Sequence, residues 1–163
     1  MTRKQPSGPP VKPATQHAAL PALPCMCANV RRAARAITQL YEDALRPLGL
    51  RATQFTLLQA LSIAGEISQG QLGEILAMDS TTLSRTLQLL LRRNWIAETR
   101  GLDRRERLLR LSPAGRAQLQ RATPAWNHAQ ARLRRQLGDE RWRHLLQSTH
   151  EVANAIANGG LAI

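Results

Sequence analysis

The sequence predicts a mainly α-helical fold with one small β-hairpin, on three observations. Hydrophobic residues make up 43% of the chain but aromatic residues only 3%. The core must therefore consist mostly of Leu, Ala, Ile and Val, which favours helices over a β-sandwich. Apolar residues recur at spacings of three and four over most of the chain, which indicates amphipathic helices. Two short apolar runs, 95–99 and 108–111, flank a charged segment and predict a pair of strands.

The length of 163 residues suits one domain with its own core. Residues 1–24 hold six of the nine prolines and show little periodicity, a composition that cannot form a packed element. We therefore expect a disordered, proline-rich arm over 1–24 and a single domain over 25–163.

The first three helices follow from their periodicity and their end signals. Apolar spacing predicts helix one over 28–48, ending near Gly49. Thr53 is suited to cap a second helix that Gly65 ends, and Ser68 is suited to cap a short third helix.

A fourth helix is predicted over 80–93, because Asp79 is a good N-cap residue. Three leucines would face the core: Leu83, Leu87 and Leu90. The first turns and the exposed side carry small polar residues and one arginine: Ser80, Thr81, Thr82, Ser84 and Arg85.

The charged segment 100–107 between the two predicted strands contains four arginines. A helix pair followed by a basic hairpin is the order of a winged helix-turn-helix, here over about 53–112. Ser112 and Pro113 then open long helices over 113–157. The terminal helices, 28–48 and 113–157, have more apolar face than one domain covers, so we expect them to form a homodimer. The alternative is a monomer in which these helices pack on one another.

The charge balance indicates a polyanionic partner. Lys and Arg total 23 against 11 for Asp and Glu, a formal net charge of +12. Arginine predominates, and its planar fork suits phosphates and guanine edges, which favours double-stranded DNA over a membrane surface. The sequence has no apolar run long enough for a membrane span and no secretory signal, so we expect a cytoplasmic protein.

These elements predict specific DNA contacts. The second helix of a helix-turn-helix lies in the major groove, and Arg85 is the candidate for base readout. Its small polar neighbours would reach base edges or position the helix on phosphates: Ser80, Thr81, Thr82 and Ser84. At the hairpin tip, Arg104 and Arg105 are candidates for the minor groove, and Asp103 would orient a neighbouring arginine.

The same residues resemble the MarR family of bacterial repressors. The matching motifs are LGEIL at 72–76, STTLSR at 80–85, WI at 95–96, DRR at 103–105 and LSPAG at 111–115. The resemblance covers about residues 28–157. It implies a homodimer whose two winged lobes read the half-sites of a pseudo-palindromic operator. It also implies a repressor that a small-molecule ligand or thiol oxidation releases from DNA.

One stretch is similar to the organic-hydroperoxide-sensing branch of that family. Cys27 is expected just before helix one, where the helix dipole and nearby arginines would favour the thiolate. The resemblance implies that Cys27 is the reactive cysteine and that Tyr41 contacts it. About 21 Å of helix separates the two positions, so Tyr41 would approach the Cys27 of a second copy. Arg31 departs from the pattern, because that branch has a tyrosine there.

Other interpretations of the sensor remain open. Cys25 would serve as a resolving thiol, or both cysteines are inert, or they bind a soft metal, although no further ligand is clustered nearby. A small aromatic ligand between the helices and the DNA lobe is a further alternative. No catalytic motif, metal site or cofactor loop is evident, so an enzyme is not predicted. The rival function is a sequence-nonspecific architectural DNA-binding protein.

Overall fold

The computed structural model describes residues 21, 23–100 and 107–157. Most of the predicted arm, 1–24, and the hairpin tip, 101–106, lie outside the described residues. The helices and strands run in the order α1 (Met26–Leu45), a 3-10 turn (Arg46–Leu48), α2 (Ala52–Ala64), β1 (Ile67–Ser68), α3 (Gln69–Leu76), α4 (Ser80–Arg92), β2 (Ile96–Arg100), β3 (Arg107–Leu111), α5 (Pro113–Leu137) and α6 (Asp139–Ala157). This order confirms the mainly helical fold with long terminal helices.

The strands form one antiparallel sheet in the order β1-β3-β2. Ile96 pairs with Leu111, and Leu109 lies between Ile67 on one side and Glu98 on the other. The hairpin is the predicted one, but β1 was not predicted, because two residues are too few to show a strand period. The sheet and the helices α2 to α4 form a winged helix-turn-helix, which we call the central lobe (52–111).

The core of the central lobe is built from leucines. Phe55, Leu58 and Leu61 of α2 are buried, and the Phe55 ring stacks on Trp126 of α5 with centroids 5.5 Å apart. The inward face of α4 is the predicted one: Leu83, Leu87 and Leu90. Burial of a leucine side chain stabilises the fold by about 1.5–3 kcal/mol, so α4 is held firmly along one side.

Three predicted N-caps are confirmed: Ser68, Asp79 and Ser112. The prediction of Thr53 as the cap of α2 was wrong. The helix begins at Ala52, and the Arg51 backbone N–H donates to the Gln54 side chain at 3.0 Å. The Glu42 side chain of α1 accepts a hydrogen bond from the Ala52 N–H through Oε1, at 2.9 Å. These two acceptors satisfy the first amides of α2 without a hydroxyl at residue 53.

The start of α5 packs directly against the turn between α4 and β2. A Cβ atom on Gly115 would lie 1.8 Å from the Trp95 carbonyl oxygen, so only glycine fits there. The Ser112 N–H donates to the same carbonyl at 3.1 Å. This close approach fixes the base of the hairpin to the first turn of α5.

The terminal helices leave an apolar surface open. No residue of α6 over 139–156 is buried, although its apolar side includes Leu146, Val152 and Ile156. A cavity of about 330 Å³ lies between α1, α5 and α6, lined mainly by aliphatic side chains and Trp142. Within one copy, these helices therefore cover one another only in part.

No helix of the described ranges is both long and apolar enough to cross a membrane.

Candidate nucleic-acid interface

The outward face of α4 is the feature that the fold presents most clearly. Thr81, Arg85 and Gln88 are exposed and recur at spacings of four and three, so they share one side of the helix. We call these three residues the outer stripe. It lies opposite the buried leucines, and within the described part of the chain its side chains make no hydrogen bond or ion pair. Donors and acceptors are therefore free along this side.

The N-terminus of α4 is capped by a carboxylate. Asp79 Oδ1 accepts the Thr82 N–H at 2.9 Å. Hydrogen bonds from Thr82, its side chain first and its backbone N–H second, lower the pKa of the Asp79 carboxyl. The helix therefore starts at a defined residue, Ser80, which is exposed.

Ser84 has a different environment from the one that the sequence suggested. Gln69 of α3 donates from Nε2 to Ser84 Oγ at 2.9 Å, and Ser84 is half-buried. One turn away, a Cβ atom on Gly73 would lie 3.3 Å from Leu83, so α3 and α4 pack closely at this point. The Ser84 hydroxyl therefore holds α4 against α3.

Thr82 is exposed, and its carbonyl accepts the Thr86 hydroxyl at 2.9 Å. It lies one residue after Thr81, about 100° around the helix, and three residues before Arg85, so it borders the outer stripe on one side. The structure thus brings Thr81 and Arg85 together on one side and puts Thr82 on a neighbouring side.

An open groove of about 740 Å³ runs between α3, α4 and β3. Gln69, Glu74, Ser80 and Arg107 supply its polar lining, and Leu83 and Met78 contribute an apolar part. The groove begins at Ser80, where α4 begins, and extends to Arg107 at the start of β3, next to the hairpin tip. It therefore connects the N-terminus of α4 to the hairpin, and the outer stripe is not part of its lining.

The strands of the hairpin make surface ion pairs. Arg107 Nε lies 3.4 Å from Glu98 Oε1, and Arg110 Nε lies 3.7 Å from Glu66 Oε2. The Thr99 hydroxyl donates to the same Glu66 oxygen at 3.3 Å. Exposed pairs of this kind stabilise a fold by about 0–1 kcal/mol each. Their effect here is mainly to orient the two strands. The predicted tip residues lie outside the described residues: Asp103, Arg104 and Arg105.

The far end of α4 is joined to the segment after α1. Arg93 Nη1 donates to the Gly49 carbonyl at 2.7 Å, and its guanidinium lies 4.8 Å from the centroid of the Trp95 ring. Buried Gln118 of α5 donates to the Leu48 carbonyl at 2.9 Å. The Arg93 bond and the Glu42 contact to α2 connect the central lobe to α1 and the turn after it, and the Gln118 bond joins that turn to α5.

The two cysteines lie at the start of α1 and are exposed, free thiols. Cys25 is the N-cap residue, and Cys27 lies in the first turn rather than just before the helix as predicted. The helix starts early because Asn29 Nδ2 donates to the carbonyls of Leu23 at 2.6 Å and Cys25 at 3.0 Å. Arg32, one of the nearby arginines that were expected to favour the thiolate, donates to the Pro21 carbonyl at 2.9 Å. Within the described residues, no three His, Cys, Asp or Glu side chains cluster as metal ligands.

Tyr41 is engaged within its own chain. Its hydroxyl donates to Gln130 Oε1 of α5, and partial burial raises the pKa of Tyr41. Its ring also borders the cavity between α1, α5 and α6. The contact predicted between Tyr41 and the Cys27 of a second copy stays a prediction.

Sequence reasoning missed several residues of this surface. Gln88 could have been identified from the sequence, because it continues the helical spacing of Thr81 and Arg85 for one further turn. Gln69 and Glu66 gave no local signal, since their partners lie 15 residues and 33 or more residues away.

Comparison with known proteins points in one direction. A sequence model described as the MarR family matches residues 48–106. The uncharacterized HTH-type transcriptional regulator YwoH of Bacillus subtilis is 29% identical over 84 residues, which cover 52% of this chain and 61% of that protein. The multiple antibiotic resistance protein MarR of Salmonella typhimurium is 36% identical over 80 residues, 48% of this chain and 56% of that protein. The chain thus spans roughly three-fifths or less of these curated relatives.

Two solved structures extend the likeness. The M. tuberculosis transcriptional regulator MosR in complex with DNA is 34% identical, with a TM-score of 0.75 over 84% of this chain and 99% of that chain. A mutant MarR from E. coli complexed with operator DNA is 22% identical, with a TM-score of 0.72 over 78% of this chain and 92% of that chain. The second match shows a shared fold alone.

Proposed function

This chain belongs to the MarR family, and on that basis we propose that it is a homodimeric, sequence-specific DNA-binding transcriptional regulator. The observation that carries the proposal is the outer stripe of α4. It combines an exposed arginine with free polar side chains on a helix whose opposite side is buried. Helices of this kind lie in the major groove and read base edges from their outward side. The M. tuberculosis regulator MosR, which is 34% identical and was solved with DNA, supports the same partner for this chain.

In this proposal the residues of α4 have different roles. Arg85 donates two hydrogen bonds to a guanine edge, the commonest specific contact to a base. Ser80, Thr81 and Thr82 lie at the positive end of the helix and contact phosphates or the nearest base edges. Ser84 positions α4 through its bond to Gln69.

The hairpin supplies a second contact. Its second strand, β3, begins at Arg107 beside the groove between α3 and α4. The segment 100–107 that joins the two strands holds four arginines and two acidic residues, a net charge of +2. Arg104 and Arg105 enter the minor groove, where the negative potential attracts arginine, and Asp103 orients one of them. The ion pairs at Glu98 and Glu66 support this role, because they join β3 to β2 and to the segment before β1.

A second copy covers the terminal helices. The open apolar side of α6 and the cavity of about 330 Å³ between α1, α5 and α6 support an interface there. A two-fold dimer puts its two copies of α4 about 34 Å apart, one turn of DNA, and so reads a pseudo-palindrome. Exposed apolar patches of this extent are typical of protein interfaces.

Regulation follows from the connection between the terminal helices and the central lobe. We propose repression, released by a small aromatic ligand or by oxidation of Cys27 with an organic hydroperoxide. The position of both thiols at the exposed start of α1 supports the second route. A change at that helix alters the spacing of the two lobes, and two recognition helices then no longer fit successive grooves.

The test is selection of duplexes from a random pool by the full chain, followed by competition with unrelated DNA. A regulator is expected to recover a two-fold symmetric sequence and to prefer it by about 10³-fold or more over random duplex. The net charge of +12 favours one other candidate, an architectural protein that binds any duplex. Binding that is equal for every sequence would establish that candidate and overturn the regulator.

A further inference from the structure

Gln88 extends the outer stripe beyond the residues that sequence reasoning identified. We infer that Gln88 is a specificity-determining residue that reads an adenine in the major groove, an inference that rests on the proposed DNA-binding function. The argument depends on its position, on the freedom of its amide, and on the chemistry of base edges.

The position of Gln88 follows from helix geometry. It lies three residues after Arg85 and seven after Thr81, on the same exposed side of α4. At a rise of about 1.5 Å per residue, Arg85 and Gln88 are about 4.5 Å apart along the axis, and Thr81 and Gln88 about 10.5 Å. Base pairs stack at about 3.4 Å, so the three side chains span roughly three steps of DNA. Gln88 thus faces a base pair one or two steps from the one that Arg85 reads.

The amide of Gln88 is uncommitted within the described residues. Other polar side chains near it already have partners: Ser84 bonds to Gln69 of α3, and Thr86 bonds to the Thr82 carbonyl within α4. Gln88 has no such bond and is exposed. Its carboxamide is therefore available for an external partner, and its removal leaves no buried group unpaired.

The chemistry of the carboxamide selects the base. It offers one donor and one acceptor side by side, which match N7 and the N6 amino group of adenine in the major groove. Guanine presents two acceptors there, and cytosine presents a donor alone. A glutamine at this position therefore favours an A·T pair close to the guanine that Arg85 reads, once in each half-site.

The experiment compares duplex selection by the full-length wild type and three variants. Gln88→Ala removes the carboxamide, and Gln88→Glu leaves only acceptors, which suit the amino group of cytosine. Gln120→Ala is the matched control, because it removes an exposed glutamine from α5. Circular dichroism spectra and melting temperatures of all four proteins establish that they are folded alike.

The wild type is expected to prefer one A·T pair in each half-site, and Gln88→Ala to lose that preference by roughly 5- to 150-fold at that position alone. Gln88→Glu is expected to move the preference towards cytosine at the same position. Gln120→Ala should select the wild-type sequence.

Unchanged base preferences in Gln88→Ala would overturn the inference, and so would an equal loss of affinity for every sequence, which marks a phosphate contact. In either case, if the wild type still selects a symmetric site, the proposed function is retained. A wild type that selects no sequence would overturn both together.

Discussion

Glu42 of α1 accepts a hydrogen bond from the backbone N–H of Ala52, the first residue of α2. The carboxylate is only 16% exposed, and it also lies 3.8 Å from Arg51 Nη1. An acidic side chain at a helix N-terminus satisfies an amide and interacts favourably with the helix dipole. This one contact ties a terminal helix to the first helix of the central lobe.

Replacement of Glu42 tests whether this contact between α1 and α2 stabilises the fold. We expect Glu42→Ala to lower the free energy of unfolding by about 1–2 kcal/mol, the usual loss for a helix cap. Glu42→Gln keeps an acceptor and should lose less. Asp43→Ala is the control, because Asp43 lies next in the chain but pairs with Arg46 at the surface. Urea unfolding measures all three, and equal stability of Glu42→Ala and wild type would show that the contact does not stabilise the fold.

Gly115 tests the close approach of α5 to Trp95. A methyl group there would collide with the Trp95 carbonyl, so we expect Gly115→Ala to destabilise the protein by about 3 kcal/mol or more. Gly70→Ala in α3 adds the same methyl group with its nearest contact at 3.8 Å. That control should keep or slightly raise the melting temperature. If Gly115→Ala had the same melting temperature as the wild type, the first turn of α5 would be able to move away from Trp95 at little cost.

The lowered pKa of Asp79 predicts a pH-dependent difference in melting temperature between the wild type and Asp79→Asn. Its pKa is lowered in the folded state, so its contribution to stability is present above the unfolded-state pKa and is lost as the pH falls through the folded-state value. Asparagine caps helices as well but carries no charge. We expect wild type to melt above Asp79→Asn at pH 7, and the gap to close in acid. A gap that stayed equally large as the pH was lowered from 7 through the ordinary pKa of an aspartate, about 3.9, would contradict the assignment.

Arg85 tests the proposed base readout. Arg85→Ala is expected to weaken operator binding by about 1–3 kcal/mol and to relax the base preference at one position per half-site. Arg132→Ala removes the same charge from an exposed site on α5 and serves as the control. Binding isotherms on the selected duplex and on single-base variants measure both effects. If Arg85→Ala retained the affinity and preference of the wild type, α4 would not be the reading helix.

Cys27 tests the redox route. In the proposed step the thiolate attacks the peroxide oxygen, the O–O bond breaks, and Cys27 sulfenic acid and an alcohol form. We expect an organic hydroperoxide to release wild type and not Cys27→Ser from the operator, in gel-shift titrations. Cys25→Ser separates a resolving role from the first attack. If the hydroperoxide released neither protein from the operator, thiol sensing would be excluded, and a small-molecule ligand would remain as the proposed inducer.

The features that sequence reasoning predicted correctly depend on near neighbours. Asp79 caps α4 through a residue three positions away, and Leu83, Leu87 and Leu90 face inward because the helix period puts them on one side. Such signals lie within one or two turns, so a single sequence displays them. The tip residues Asp103, Arg104 and Arg105 remain predictions.

The features that it missed depend on contacts between distant segments. Thr53 has the right chemistry for a cap, but Glu42 from another helix supplies the acceptor instead. Ser84 looks like a base-reading residue until α3 brings Gln69 against it. In each case the tertiary arrangement decides which polar group is already satisfied, and no local pattern records that arrangement.

The uncovered side of α6 has a consequence for how the protein responds to its own abundance. In the proposed dimer, α6, which has no fully buried side chain within one copy over 139–156, gains stability from association, and association is governed by mass action. Thermal stability should therefore rise with protein concentration. At concentrations below the dimer dissociation constant, occupancy of the operator should increase with the square of the monomer concentration. A modest change in synthesis would then produce a steeper change in repression.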